Sequence, residues 1–120
     1  MRIYLAGPYT AYGCNAHNAP RVAQQNVDRA IEMANKIIEK GHYVFVPHLS
    51  HYLHIHYSSK EDLGDFWYDF DNSFLIFWAE ALFYLEGSPG ADAELALAQR
   101  FGLPIFYRLE DVPDATKKGS

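Results

Sequence analysis

The chain predicts an α/β domain in which helices cover both faces of one parallel sheet. Four short apolar runs alternate with helical patterns along its 120 residues, 49% of which are hydrophobic. No tight hairpin turn joins two runs, so consecutive strands need crossovers, which are right-handed and make neighbouring strands parallel. We therefore expect a doubly wound, three-layer domain with about four to five strands over residues 1–108, followed by a C-terminal tail over 109–120.

The first half of the chain supplies two strands and a helix. Residues 3–6 are apolar and end at Gly7-Pro8, which predicts a buried strand and a turn. Pro20 suits the first turn of a helix that Gly41 stops, and residues 43–46 form the second strand before Pro47. Apolar residues at helical spacing predict the buried face of this helix: Val27, Ala30, Ile31, Ala34, Ile37 and Ile38.

The second half repeats the alternation of helix and strand. Ser59 begins a helical pattern that runs to about Trp78, and strands are expected over 81–85 and 104–107. Between them a helix runs from about Gly90 to Phe101. Because ligands of such Rossmann- or flavodoxin-like sheets bind at the carboxyl ends of the strands, residues 7–9, 47–51 and 88–94 should converge on one crevice.

Composition narrows the classes of partner. The formal net charge of -5, with no basic stripe, makes polymeric nucleic acid a poor partner. The lone Cys14 forms no internal disulfide and suits a reducing compartment. The N-terminus lacks signal-peptide character, and no apolar run reaches the length of a membrane helix, so the expected location is cytoplasmic.

The segment from Ser88 to Glu94 is the strongest candidate for a site. A Ser/Gly turn that opens a helix can seat an anion on backbone N–H groups, here those of Gly90 and Ala91. Glu94 falls in the first turn or so, where the helix macrodipole favours the ionised carboxylate by about 0.3–1 kcal/mol. Glu94 is thus a candidate nucleophile, with simple decoration of a helix end as the equal alternative.

A second carboxylate would allow one group to attack while the other protonates a leaving group. Asp69 and Asp71 are two residues apart and cannot share a helical face, so at most one reaches the crevice. Tyr4 is a candidate to orient a carboxylate from the first strand, and Tyr9 to stack on a ring beside Gly7 and Pro8.

The histidines His48, His51, His54 and His56 do not form a familiar metal-ligand pattern, because no Cys or acidic run completes the set. We expect one or two of these imidazoles, His48 and His51 first, to line a pocket. Glycine-rich motifs for dinucleotides or nucleoside triphosphates are missing from the sequence as well. Neither a metal nor a cofactor is expected.

Taken together, five motifs resemble the nucleoside 2-deoxyribosyltransferase superfamily, and its small DUF4406 branch most of all. They are residues 3–9, Gly41-His42, residues 46–51, residues 66–71 and the Ser88-x-Gly90-Ala91-Asp92-x-Glu94 segment. The resemblance implies an N-glycosidase or deoxyribosyltransferase in which Glu94 attacks C1 of the sugar and Tyr4 positions it. Asp71 then serves in proton transfer to the leaving base, with Asp69 as the alternative.

The resemblance also bears on substrate and assembly. Ser88 stands where deoxyribosyltransferases carry an acidic residue and where hydrolases of 5′-monophosphates carry Ser, which favours a nucleotide substrate. The base, the sugar, and hydrolysis versus transfer stay open. Homo-oligomers are usual among small members, and the aromatic surplus of residues 66–78 predicts a subunit interface. The rival interpretation is a nucleotide-binding sensor of this fold without catalysis.

Overall fold

The computed structural model describes residues 1–8, 19–49 and 66–115. Within these ranges the strands and helices are β1 (Arg2–Ala6), α1 (Ala19–Glu39), β2 (Tyr43–Phe45), α2 (Phe66–Phe77), β3 (Ala81–Tyr84), α3 (Pro89–Arg100) and β4 (Ile105–Phe106). Most predicted bounds agree within about two residues, the ordinary uncertainty of an element's end. The predicted helix start at Ser59 lies outside the described residues.

The four described strands form one parallel sheet in the order β2-β1-β3-β4. This confirms the α/β prediction of a doubly wound parallel sheet, consistent with a Rossmann- or flavodoxin-like fold. β1 and β3 are the central strands, paired from Ile3 opposite Ala81 to Ala6 opposite Tyr84. Parallel pairing brings the carboxyl ends of all four strands to one edge, where the loops after β1 and β3 meet.

Side-chain alternation along the central strands assigns each helix to a face. Ile3 and Leu5 pack with Ala34 and Ile37 of α1. Tyr4 and Ala6 point to the opposite face, where buried residues of α2 and α3 complete a second core. Tyr4 is therefore a core residue whose ring lies beneath α2 and α3.

The buried face of α1 is narrower than its sequence predicts. Val27, Ala30, Ala34 and Ile37 are buried, whereas Ile31 and Ile38 are 39% and 52% exposed. The prediction was wrong for these two isoleucines because they flank the stripe that actually meets the sheet. Gly41 ends the helix with φ of 94°, a conformation suited to glycine. None of the described helices is long and apolar enough to cross a membrane.

The segment after β4 packs on the domain instead of forming a tail from residue 109. Val112 is buried in the core beneath α1. The Nζ of Lys40 donates to the carbonyls of Leu109 and Val112 at 2.7 and 2.9 Å, and the Ala115 N–H donates to the Lys40 carbonyl. Residues 109–115 thus belong to the domain because they cover the C-terminal end of α1. Residues 116–120 lie outside the described residues.

Candidate active site

Glu94 reaches the sheet because of the small residues on either side of it. Ala91 and Ala98, three positions before and four after, are fully buried against the sheet. Residues at this spacing share one helical face, so Glu94 points inward between them. The hydroxyl of Tyr4, on β1, donates a hydrogen bond to the Glu94 carboxylate. The sequence already contained this signal in the Ala-x-x-Glu-x-x-x-Ala spacing.

Burial dominates the proton affinity of Glu94. The pKa of its carboxyl rises from an ordinary 4.5 to about 7, because burial penalises the charged form and the nearby Asp71 charge adds repulsion. The Tyr4 hydrogen bond acts in the opposite direction by favouring the ionised form. The macrodipole argument predicted a stabilised carboxylate and was wrong in sign, since Glu94 lies in the second turn of α3 and is desolvated there.

The structure separates the two candidate acids on α2. Asp71 is half-buried and lies close enough to Glu94 to raise its pKa. Asp69 is exposed and lines a groove on the outer side of α2 and α3. Tyr4, Asp71 and Glu94 therefore form one group between the sheet and the two helices. Asp69 lies outside this group.

Ser88 caps α3. Its Oγ accepts a hydrogen bond from the Ala91 N–H at 3.0 Å, and its carbonyl accepts from the Asp92 N–H at 2.8 Å. The Ala91 N–H was expected to face an anion, but here it is engaged by the cap. The Ser88 hydroxyl still carries a proton to donate, so the capping serine itself is the polar group that this turn offers to a ligand.

A tyrosine that the sequence did not single out fixes the same loop. The Tyr84 hydroxyl, at the end of β3, donates to Oδ1 of Asp92 at 2.6 Å. A Cβ added to Gly87 would lie 2.7 Å from that hydroxyl, so a larger residue there would force the Tyr84 side chain to shift. The alternation of side chains along β3 could have predicted that Tyr84 faces α3. Its hydrogen bond to Asp92 could not be predicted, because it depends on how α3 packs on the sheet.

The turn after β1 is supported by the segment that follows β2. His48 is buried and its Nε2–H donates to the Pro8 carbonyl at 2.9 Å. Burial and the nearby Arg29 lower the pKa of His48, which keeps the ring neutral. A Cβ on Gly7 would meet the Leu85 side chain at 3.3 Å. His48, predicted to line the pocket, thus holds the Gly7-Pro8 turn in place.

Gly90 lies exposed in the first turn of α3, and the other predicted site residues, Tyr9 and His51, lie outside the described residues. The same holds for His54 and His56. Across the parts of the chain that the structure describes, no three His, Cys, Asp or Glu side chains gather as a metal ion would require.

Comparisons with known proteins give no family. No protein-family model matches the chain, and no curated protein or solved structure matches it either. The group formed by Tyr4, Asp71 and Glu94 therefore has to be judged on its own geometry and chemistry.

Replacing Tyr4 by Phe should raise the pKa of Glu94 above its value of about 7, because the hydrogen bond that favours the ionised carboxylate is lost. Asp71→Asn should move the pKa of Glu94 in the opposite direction by removing a like charge. Titration of the Glu94 carboxyl carbon by NMR measures both effects. A carboxyl that titrates identically in the wild type and both variants would contradict the described arrangement.

Proposed function

We propose that this chain cleaves the N-glycosidic bond of a deoxynucleoside, a nucleoside or its 5′-monophosphate through a covalent glycosyl-Glu94 intermediate. The observation that carries the proposal is the half-buried Glu94, whose carboxyl is desolvated, held by Tyr4 and placed beside a second carboxylate. Two neighbouring carboxyl groups with different environments are the apparatus of glycosidic bond cleavage. The motif resemblance to nucleoside 2-deoxyribosyltransferases supports the same chemistry and the proposed membership of that superfamily.

The reaction divides into two displacements at C1 of the sugar. A carboxylate oxygen of Glu94 attacks C1, the glycosidic C–N bond breaks with its electron pair moving to the base, and Asp71 supplies the proton that the base takes up. This leaves a glycosyl ester on Glu94. Water or a second base then attacks C1, releases Glu94 and returns a proton to Asp71. Water gives hydrolysis and a base gives transfer.

Proton sharing within the carboxyl pair sets the active state. Burial, and after it repulsion from the Asp71 charge, raises the pKa of Glu94 to about 7, so a proton stays on this group of side chains up to about that pH. Attack requires that proton to sit on Asp71. The hydrogen bond from Tyr4 favours this arrangement because it stabilises the ionised form of Glu94.

The choice between nucleoside and monophosphate depends on Ser88. Its hydroxyl caps α3 and has a proton available for a 5′-hydroxyl or phosphate oxygen, which supports the monophosphate. The exposed carboxylate of Asp92 near this turn favours the neutral nucleoside, whereas the charge of Glu86 is paired with Arg29. We propose both as substrates to be tested, in a cytoplasmic protein that forms at least a homodimer and does not bind polymeric nucleic acid.

A substrate panel tests the proposal. The protein is incubated with deoxynucleosides, nucleosides and their 5′-monophosphates, with and without an acceptor base, and released base is measured by chromatography. Intact mass after acid quenching should show a glycosyl adduct that Glu94→Gln does not form. Release of no base and formation of no adduct across the panel would overturn the catalytic proposal, and ligand binding that survives Glu94→Ala would favour the sensor interpretation.

A further inference from the structure

An ion pair joins α1 to the loop after β3 at the carboxyl edge of the sheet. Arg29, on α1, donates from Nη2 to the carboxylate of Glu86 at 2.5 Å, and Glu86 lies between β3 and α3. Because α1 and α3 cover opposite faces, the pair lies where the connection after β1 turns to one face and the connection after β3 to the other. Ligands of doubly wound sheets bind at such a point. Both residues lie outside the five motifs that carry the family resemblance.

The surroundings of Arg29 place it among the loops that form the crevice. Burial first, and then the charge of Arg29, lowers the pKa of the His48 ring, which holds the Pro8 carbonyl. A Cβ on Gly7 would lie 3.7 Å from His48 and 3.3 Å from Leu85, so the segments after β1, β2 and β3 come together here. The positive charge of Arg29 is therefore beside the crevice in which the proposed substrate binds.

Asn26 orients the guanidinium of Arg29. Asn26 is only 7% exposed and lies three residues earlier on α1, and its Oδ1 accepts a hydrogen bond from the same Nη2 at 2.9 Å. Glu86 and Asn26 thus use both protons of Nη2, out of the five N–H donors of a guanidinium. Displacement of Glu86 frees one Nη2 proton beside a donor of Nε or Nη1, which is the paired geometry that phosphate oxygens accept.

Glu86 is a weak partner for this guanidinium. Both side chains are half exposed, and such an ion pair contributes little because water screens it and two long side chains have to be ordered. A phosphate monoester carries about two negative charges near neutral pH and accepts from two donors of the guanidinium at once, so it binds Arg29 more strongly. A nucleoside has no charged group with which to displace Glu86.

We propose that Arg29 is the residue that selects a 5′-monophosphate, and that Glu86 is an internal competitor which the phosphate displaces. The inference rests on the proposed function, because it names the substrate class of the same site. Ser88, two residues after Glu86, is the second contact proposed for this phosphate. Without a phosphate the carboxylate of Glu86 stays on Arg29, and the site then discriminates against the nucleoside.

Calorimetry on a parent chain that carries Glu94→Gln tests the subsite, because this chain should bind substrate without consuming it. The probes are the four common deoxynucleosides and their 5′-monophosphates. Arg29→Gln should weaken monophosphate binding by about tenfold or more and leave deoxynucleoside binding unchanged, whereas Glu86→Gln should tighten monophosphate binding by about threefold or more. Arg100→Gln and Glu32→Gln remove the same charges elsewhere and should change neither.

A double variant distinguishes direct contact from neutralisation of Glu86. If Arg29 binds the phosphate, Arg29→Gln combined with Glu86→Gln should bind monophosphates about tenfold or more weakly than Glu86→Gln alone. Equal binding by these two chains would show that Arg29 only neutralises Glu86, and it would overturn the proposal. Circular dichroism of each variant confirms that it is folded.

The subsite and the reaction can fail separately. Monophosphate binding that depends on Arg29, in a wild type that releases no base, would leave the subsite in place and overturn the proposed reaction. Cleavage of monophosphates with a kcat/KM that Arg29→Gln does not lower would overturn the subsite alone. A parent chain that binds monophosphates no more tightly than deoxynucleosides, or binds neither, would also overturn the subsite.

Discussion

Glu94→Gln should make the folded chain more stable at pH 8 while abolishing turnover. The folded state keeps the Glu94 proton to about pH 7, whereas the unfolded chain releases it near pH 4.5. Wild-type stability therefore falls as the pH rises between these values, because a buried carboxylate must then carry its charge. Gln cannot ionise and can still accept the Tyr4 hydrogen bond, so the variant avoids this loss.

The expected gain for Glu94→Gln over the wild type is about 2 to 3 kcal/mol larger at pH 8 than at pH 5. Urea denaturation at both pH values measures it. Glu39→Gln, an exposed glutamate on α1, is the matched control and should show no such pH-dependent difference. A Glu94→Gln variant that is no more stable than the wild type at pH 8 would show that Glu94 carries no buried charge there.

Asp71→Asn should lower turnover of ordinary nucleosides by about 10²- to 10⁴-fold, the usual contribution of a positioned general acid. The loss should be much smaller for an N7-methylated purine nucleoside, because a base that already bears positive charge leaves without protonation. Rates for both substrates across pH 5–9 measure the effect.

The pH profile gives a second readout for the same variant. Wild-type turnover should fall as the pH rises through about 7, since the carboxyl pair then loses its shared proton. With the methylated substrate, Asp71→Asn should show the reverse slope, because only ionised Glu94 is needed. Asp69→Asn is the matched control and should keep the wild-type rate and pH profile. The comparison is made at a protein concentration where light scattering gives the variant and the wild type the same mass. Equal losses in the two Asp variants would contradict the assignment of Asp71.

The sequence predicted the fold well because alternation of apolar runs and helical patterns depends on local spacing alone. The residues alone made Tyr4 a candidate to orient a carboxylate, and the motif resemblance named Glu94 as its partner. The spacing of Ala91, Glu94 and Ala98 also indicates an inward carboxylate. The raised pKa of Glu94 could not be predicted, since it depends on how closely α3 docks and on Asp71, which reaches it from another helix.

The arrangement of the loop after β3 could not be predicted from the sequence either, because it also depends on how α3 packs on the sheet. The bond between Tyr84 and Asp92 joins a strand end to a helix start, and the close approach to Gly87 follows from that bond. Predicted burial failed at Ile31 and Ile38 because periodicity gives the direction of a helical face and leaves its width undetermined.

The methyl groups of two alanines between α3 and the sheet influence the pKa of Glu94 without touching its carboxyl group. Ala91 and Ala98 set how near α3 rests on the sheet, and that separation determines how much water reaches Glu94. A larger side chain at position 98 would lift the helix, hydrate the carboxylate and return its pKa toward the ordinary value. The working pH of the proposed enzyme is therefore expected to shift when one of these alanines is replaced, although every ionisable group is left in place.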